Sequence, residues 1–181
     1  MKKIKPSHFF KGIFNWIILI LIAAIAGYAF VTFFYQTVEV IGPSMSPTLS
    51  DGQTVLVNKI DYKFHDIKRY DIVVYSKVDS DAYSDIKRIV ALPGETIKIS
   101  NGKIYINDEV LKDSPITSNI INPGIAADEI TLGKNEYFVL GDNVNNSEDS
   151  RYTNIGKISN TEIKGKVVYI LKPKNEKRKI K

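Results

Sequence analysis

Residues 13–35, IFNWIILILIAAIAGYAFVTFFY, carry no charge over 23 positions. A helix needs about 20 apolar residues to cross a bilayer, so this stretch is long enough to span one. Trp16 near one end and Tyr35 at the other suit the two interfaces. A cleaved leader is the competing reading, and Ala24-Ile25-Ala26 resembles a small-residue cleavage site. The apolar run continues well past it, beyond the roughly 7–15 residues of a leader's core, so an uncleaved anchor is expected. Lys2, Lys3, Lys5 and Lys11 precede the span, whereas Glu39 and Asp51 follow it. That asymmetry predicts a cytoplasmic N-terminus and a chain that lies outside from residue 36 onward.

The expected organisation is a basic head (1–12), an anchor (13–35), one folded domain (36–172) and a basic tail (173–181). Lys+Arg number 25 against 20 Asp+Glu, and the excess sits at the two ends. The last ten residues, KPKNEKRKIK, hold six bases and one acid, and the tail is read as a solvated, disordered end. A nucleic-acid reader would carry its basic residues through the folded body, so that class is set aside. Cysteine is absent, which removes thiol catalysis, zinc–thiolate sites and disulfides. With His8 and His65 as the two histidines, a histidine cluster is also poorly supplied.

Beyond the span, short runs rich in Val, Ile and Tyr follow one another at 37–41, 54–60, 71–76, 86–92, 96–99, 103–106, 137–140 and 166–172. Gly, Pro, Asp and Asn bound them, as they bound strands. Asn101-Gly102, between IKIS and KIYI, is a strong two-residue hairpin signal. No segment after Tyr35 keeps a helical period, so the domain is expected to be mainly β. Residues 107–133 are less regular and read as a small insert.

Three stretches carry candidate chemistry. In VIGPSMSPTLSDG, Gly42 permits a sharp turn while Pro43 and Pro47 restrict the chain on either side of Ser44. A strained turn presents a hydroxyl well, but a serine in such a turn is also ordinary turn chemistry. To act as a nucleophile it needs a base. His65 lies in a charged stretch and is expected to be exposed. A lysine is the remaining option. Lys87 differs from most of the others because DIKRIVALPGE places it in a strand, sharing a face with Ile89 and Ala91. Desolvation there disfavours a charged amine, and no carboxylate partner is expected beside it. An edge-strand lysine pointing to water is the alternative. The third stretch, LGDNVNNSEDSRYTNIG, fails the calcium-loop pattern: Val144 and Ser147 stand where a ligand and a glycine belong, and Thr153 replaces the bidentate glutamate. Its Asp, Asn, Ser and Arg suit a hydrogen-bonded brace, with Ser147 orienting an amine and Asp149 pairing with Arg151.

Together these stretches resemble the type I signal peptidases, the membrane-bound Ser/Lys proteases of bacteria. GPSMSPTL (42–49) is similar to the family's nucleophile box and RYDIVVY (69–75) to the strand after it. IKRIVALPGE (86–95) is similar to its lysine box and GDNVNNSEDSR (141–151) to its last box, all in the family's order behind an anchor. The resemblance runs from the anchor to about residue 170 and is weakest over 107–133. It implies a mainly β fold like that of signal peptidases and repressor-type proteases, and removal of signal peptides from exported preproteins after a small residue. It implies Ser44 as nucleophile, Lys87 as general base, Ser147 as a hydrogen-bond partner of Lys87, and Asp142, Asp149 and Arg151 as residues that hold the site's shape. Val40, Ile41, Met45 and Ile86 are the expected walls of shallow pockets for small side chains. Some members carry a serine two residues before the nucleophile as an oxyanion donor. Gly42 stands there in this chain, and Pro43 has no N–H, so the Ser44 backbone N–H is the expected donor.

No metal or cofactor is expected. The expected partners are signal peptides, the lipid bilayer and, by proximity, the export translocon. Two other readings compete. A self-cleaving repressor would carry a DNA-binding module where this chain has a span. An anchored scaffold with a dead protease fold would have lost Ser44 or Lys87, and both are present.

Overall fold

The computed structural model describes residues 6–76, 84–173 and 177–180. Lys2, Lys3 and Lys5 of the basic head lie outside the described residues. Helix α1 (Pro6–Phe34) contains the 23-residue span Gly12–Phe34, whose most apolar 18 residues have a mean hydropathy of 2.6 and are not buried inside the protein. At 1.5 Å per residue that length is about 34 Å, enough for a hydrocarbon core of about 30 Å. The helix stops at Phe34, and Tyr35, expected to close the span, instead opens strand β1 (Tyr35–Glu39). The last turn of α1 has no basic residue of its own. Lys59 supplies one from outside: its ammonium donates to Thr32 O at 2.9 Å and its N–H to Phe34 O at 2.9 Å. A cation there satisfies terminal carbonyls and opposes the helix dipole.

The remaining elements are β2 (Thr54–Asn58), the single turn α2 (Asp61–Phe64), β3 (Ile72–Tyr75), β4 (Asp85–Ala91), β5 (Thr96–Ser100), β6 (Lys103–Ile106), β7 (Glu109–Val110), β8 (Ile130–Thr131), β9 (Glu136–Leu140), β10 (Ile158–Ser159), β11 (Ile163–Lys172) and β12 (Arg178–Lys179). They form two antiparallel sheets. The larger has the order β1-β2-β11-β3-β4-β9-β10, with β12 on β11, and the smaller runs β7-β6-β5-β8. The mainly β expectation therefore holds, and the strand runs fall within a few residues of where the sequence placed them.

The smaller sheet starts at Thr96, so residues 107–133 are built onto the β5–β6 hairpin rather than added as a separate flap. Asn101 and Gly102 both take positive φ (51° and 73°), the backbone that a tight two-residue hairpin requires. Ile97, Ile99, Ile104 and Ile106 are buried with Ile116, Ile120 and Leu132, and the same cluster takes in Phe138 and Leu140 of the larger sheet.

A second cluster joins Val40, Met45 and Leu49 to Val55, Val57, Ile72, Val74 and Ile86. The C-terminal end corrects the expectation of a disordered tail. β11 runs past the end of β3, and β12 pairs with the edge so exposed, Tyr169 opposite Lys179 and Ile170 opposite Arg178. Ile180 packs against the second cluster, and Arg178 donates to Thr48 O at 3.0 Å. An apolar residue among the bases supplies the burial that a wholly charged tail would lack.

Candidate active site

The turn over 40–52 is closed at its base by the Val40 N–H to Gln53 O (2.8 Å) and the Gly52 N–H to Val40 O (2.9 Å). The Gly42 N–H donates to Asp51 Oδ1 at 2.7 Å, and Gly42 has φ +80°, a conformation that suits glycine. Met45 and Leu49 are buried beneath the turn, 1% and 0% exposed, which fixes it to the core. Ser44, beside them, is half-buried.

Lys87 reaches Ser44 from β4. Its strand is buried along its length from Ile86 to Ala91, because β3 and β9 cover both edges and the clusters cover both faces. Lys87 stands opposite Val73, on the face it shares with Ile89. The side chain is buried, and Nζ lies 3.3 Å from Ser44 Oγ. It does have a carboxylate neighbour, contrary to expectation. Asp85, two residues earlier and so on the same face, puts Oδ1 3.6 Å from Nζ.

The last loop holds the turn from behind. The Asn143 N–H donates to Ser44 O (3.0 Å), and Asn143 Nδ2 donates to Pro43 O (3.2 Å). A Cβ on Gly141 would collide with the Ser44 carbonyl oxygen and with Ser147 Oγ, so glycine is what lets the two segments meet. Ser147 Oγ is buried with no hydrogen-bond partner. The expected bond from Ser147 to Lys87 is therefore not formed in this structure, where the amine is turned toward Ser44 and Asp85.

Two arginine–carboxylate pairs brace this arrangement. Asp149 and Arg151, both buried, meet through Nε to Oδ1 (2.8 Å) and Nη2 to Oδ2 (3.0 Å). Arg151 also donates to Asn122 O, Ser147 O and Val144 O, while Asp149 accepts from the Gly141 N–H. Asp142 is held by Arg88 in a two-pronged contact, Nε to Oδ1 at 2.7 Å and Nη2 to Oδ2 at 2.6 Å. Such paired, charge-assisted bonds fix orientation as well as distance.

Sequence reasoning missed Arg88, Asp85, Gly141 and Asn143. Arg88 was readable: a guanidinium in a strand buried on both sides needs a carboxylate. Among the expected pocket residues, Val40, Met45 and Ile86 fall in one buried cluster, whereas Ile41 is 84% exposed and stands outside it. His65 is exposed at the end of α2 and contacts Asp61. A cleft of about 750 Å³ lies along Ser50–Gln53 and Leu171–Pro173 with Lys177, and shares no residue with the Ser44–Lys87 pair.

Residues 13–172 match the family described as signal peptidase, peptidase S26. The chain is 36% identical over 148 residues to signal peptidase I P of Bacillus subtilis subsp. natto, covering 78% of this chain and 80% of that protein. It is 32% identical over 179 residues to signal peptidase I S of Bacillus subtilis strain 168, covering 93% and 94%. Among solved structures it is similar to a signal peptidase I from Enterococcus faecalis V583, with 26% identity, a TM-score of 0.46, and coverage of 57% of this chain and 97% of that one.

Proposed function

The chain belongs to the signal peptidase family, peptidase S26, and from that premise we propose that it is a membrane-anchored serine endopeptidase whose Ser44 and Lys87 remove signal peptides from exported preproteins. The observation that carries this reading is the 3.3 Å approach of a buried lysine amine to a serine hydroxyl on a turn clamped from three sides. The Lys87 amine takes the Ser44 Oγ proton as Oγ attacks the scissile carbonyl carbon. The resulting ammonium gives that proton to the leaving nitrogen, and an acyl group stays on Ser44. A water deprotonated by the same amine then releases it.

Among the described residues no acceptor takes the Ser44 N–H, which leaves it free to bind the developing oxyanion. Asp142, Asp149 and Arg151 hold the last loop against the turn, and Ser147 keeps a hydroxyl in reserve for the amine once it turns. Val40, Met45 and Ile86 floor pockets that take small side chains at −1 and −3, while exposed Ile41 meets the substrate chain at the rim.

The substrate is a signal peptide lying in the bilayer. β1 follows the span directly, so Ser44 is at most about 30 Å from Tyr35, where that strand begins. The positive-inside bias puts the N-terminus in the cytoplasm and the catalytic domain outside, close to the export translocon. Purified protein is expected to cut a preprotein after an Ala-x-Ala site, to fail with Ser44→Ala, and to keep most activity with Ser46→Ala or Ser50→Ala. Leu at −1 should block the substrate. An inactive Ser46→Ala beside an active Ser44→Ala refutes the nucleophile assignment, and no cleavage by any form favours an anchored scaffold.

A further inference from the structure

The carboxylate beside the amine has no place in the reading above. We propose that Asp85 is a positioning residue acting through Lys87: it holds the amine toward Ser44 and faces the ammonium that forms when the Ser44 proton moves to Nζ. This inference rests on the Ser44–Lys87 reading.

Asp85 opens β4, opposite Tyr75, and its side chain is 56% exposed at the end of a strand that is otherwise buried. Alternation puts it on the Lys87 face, with Oδ1 3.6 Å from Nζ while Nζ is 3.3 Å from Ser44 Oγ. The amine thus lies within reach of both a carboxylate open to solvent and the nucleophile.

Among the described residues, the other ionisable groups around the site have partners or are held neutral. Asp142 is paired with Arg88 and Asp149 with Arg151. Burial, with Asp85 adding to it, pushes the Tyr75 hydroxyl well above its ordinary range and keeps it neutral. Glu148 accepts from Asn154, and Glu162 caps a turn at Ser159. Among the described residues Asp85 is the carboxylate within ion-pair distance of Lys87.

An anion at this distance stabilises the ammonium that forms during attack. Removing the charge should lower the rate, because that ammonium loses its counter-charge and the amine loses one of the two contacts that aim it. A group this exposed is also screened by salt.

The test is kcat and KM, at low and at high salt, for the full detergent-solubilised chain on an uncharged fluorogenic peptide with an Ala-x-Ala site. Asp85→Asn should lower kcat about three- to tenfold at low salt with KM nearly unchanged. Raising the salt to about 1 M should lower the wild-type kcat toward that of Asp85→Asn and leave the variant's kcat in place. The salt arm uses unaltered protein, so a poorly folding variant does not spoil the experiment. Equal kcat for wild type and Asp85→Asn at low salt, or equal salt effects on both, overturn the proposal. Lys87→Met separates the two readings. If it is inactive while Asp85→Asn matches wild type, the role of Asp85 alone falls. If Lys87→Met is active, the dyad falls and this inference with it.

Discussion

The two sheets are made of similar material and used differently. The smaller one buries Ile97, Ile99, Ile104 and Ile106 with Leu132 and Ala126, and from residue 92 to 136 no buried polar or charged side chain is found among the described residues. The larger sheet and the loops at its edges bury Lys87, Arg88, Asp142, Ser147, Asp149 and Arg151. Burying an ionised group costs several kcal/mol unless it is paired and hydrogen-bonded, so a fold that needed only stability would have made both sheets like the first. The difference separates packing from chemistry: the smaller sheet extends the core, and the larger one holds charges in fixed positions around one hydroxyl.

That contrast breaks most visibly at Lys87. Lys87→Met should lower kcat/KM by about 10³-fold or more by removing the base, yet leave the melting temperature near wild type, because an apolar chain of similar length fills the same space. Rates paired with thermal melts check this, and a variant that is inactive because it is unfolded would blur the distinction between the sheets. Arg88→Met comes next. It strands the Asp142 carboxylate, whose side chain is 2% exposed, and should cost about 3–5 kcal/mol in urea unfolding together with activity, since the last loop loses its tie to β4. Ile104→Ala in the smaller sheet should cost about 2–4 kcal/mol by cavity formation. Its kcat/KM, measured well below the melt, should stay within about twofold of wild type, and a large kinetic effect would show that the smaller sheet helps to shape the site.

The smallest effect belongs to the surface pair Lys157–Glu136, 2.6 Å apart and each 36% exposed. The Lys157 ammonium, then the Gly133 N–H, hold the Glu136 carboxyl below its usual range. A lowered folded value means the stabilisation is present above the unfolded value of about 4.3 and is lost as pH falls through the folded one. Glu136→Gln should therefore cost less than about 1 kcal/mol at pH 7 and nothing in strong acid, where chemical unfolding of the two proteins should coincide.

The sequence was most readable where period and punctuation agree. The span, the strand runs and the Asn101-Gly102 hairpin each follow from local chemistry, and so does the apolar setting of Lys87 in its strand. The local pair Asp149–Arg151, two residues apart, was also within reach. Contacts made across the fold were not. Arg88 finds Asp142 across 54 residues, and Asn143 reaches back 100 residues to Pro43. Nothing in either local sequence specifies the other. Asp85 was overlooked for a different reason: alternation put it on the Lys87 face, but an end-of-strand aspartate reads as solvated until the distance is known. The tail was misread because its charge count hid Ile180.

The proposed chemistry requires the Lys87 amine to activate the Ser44 hydroxyl and no other. Treating the purified full chain with a small acylating agent at alkaline pH, then mapping the adduct by peptide mass spectrometry, reads this out. An acyl group is expected on Ser44 in wild type and in His65→Ala, and none above background in Lys87→Met. An adduct on Ser46 or Ser50, or one on Ser44 that persists undiminished in Lys87→Met, would contradict it.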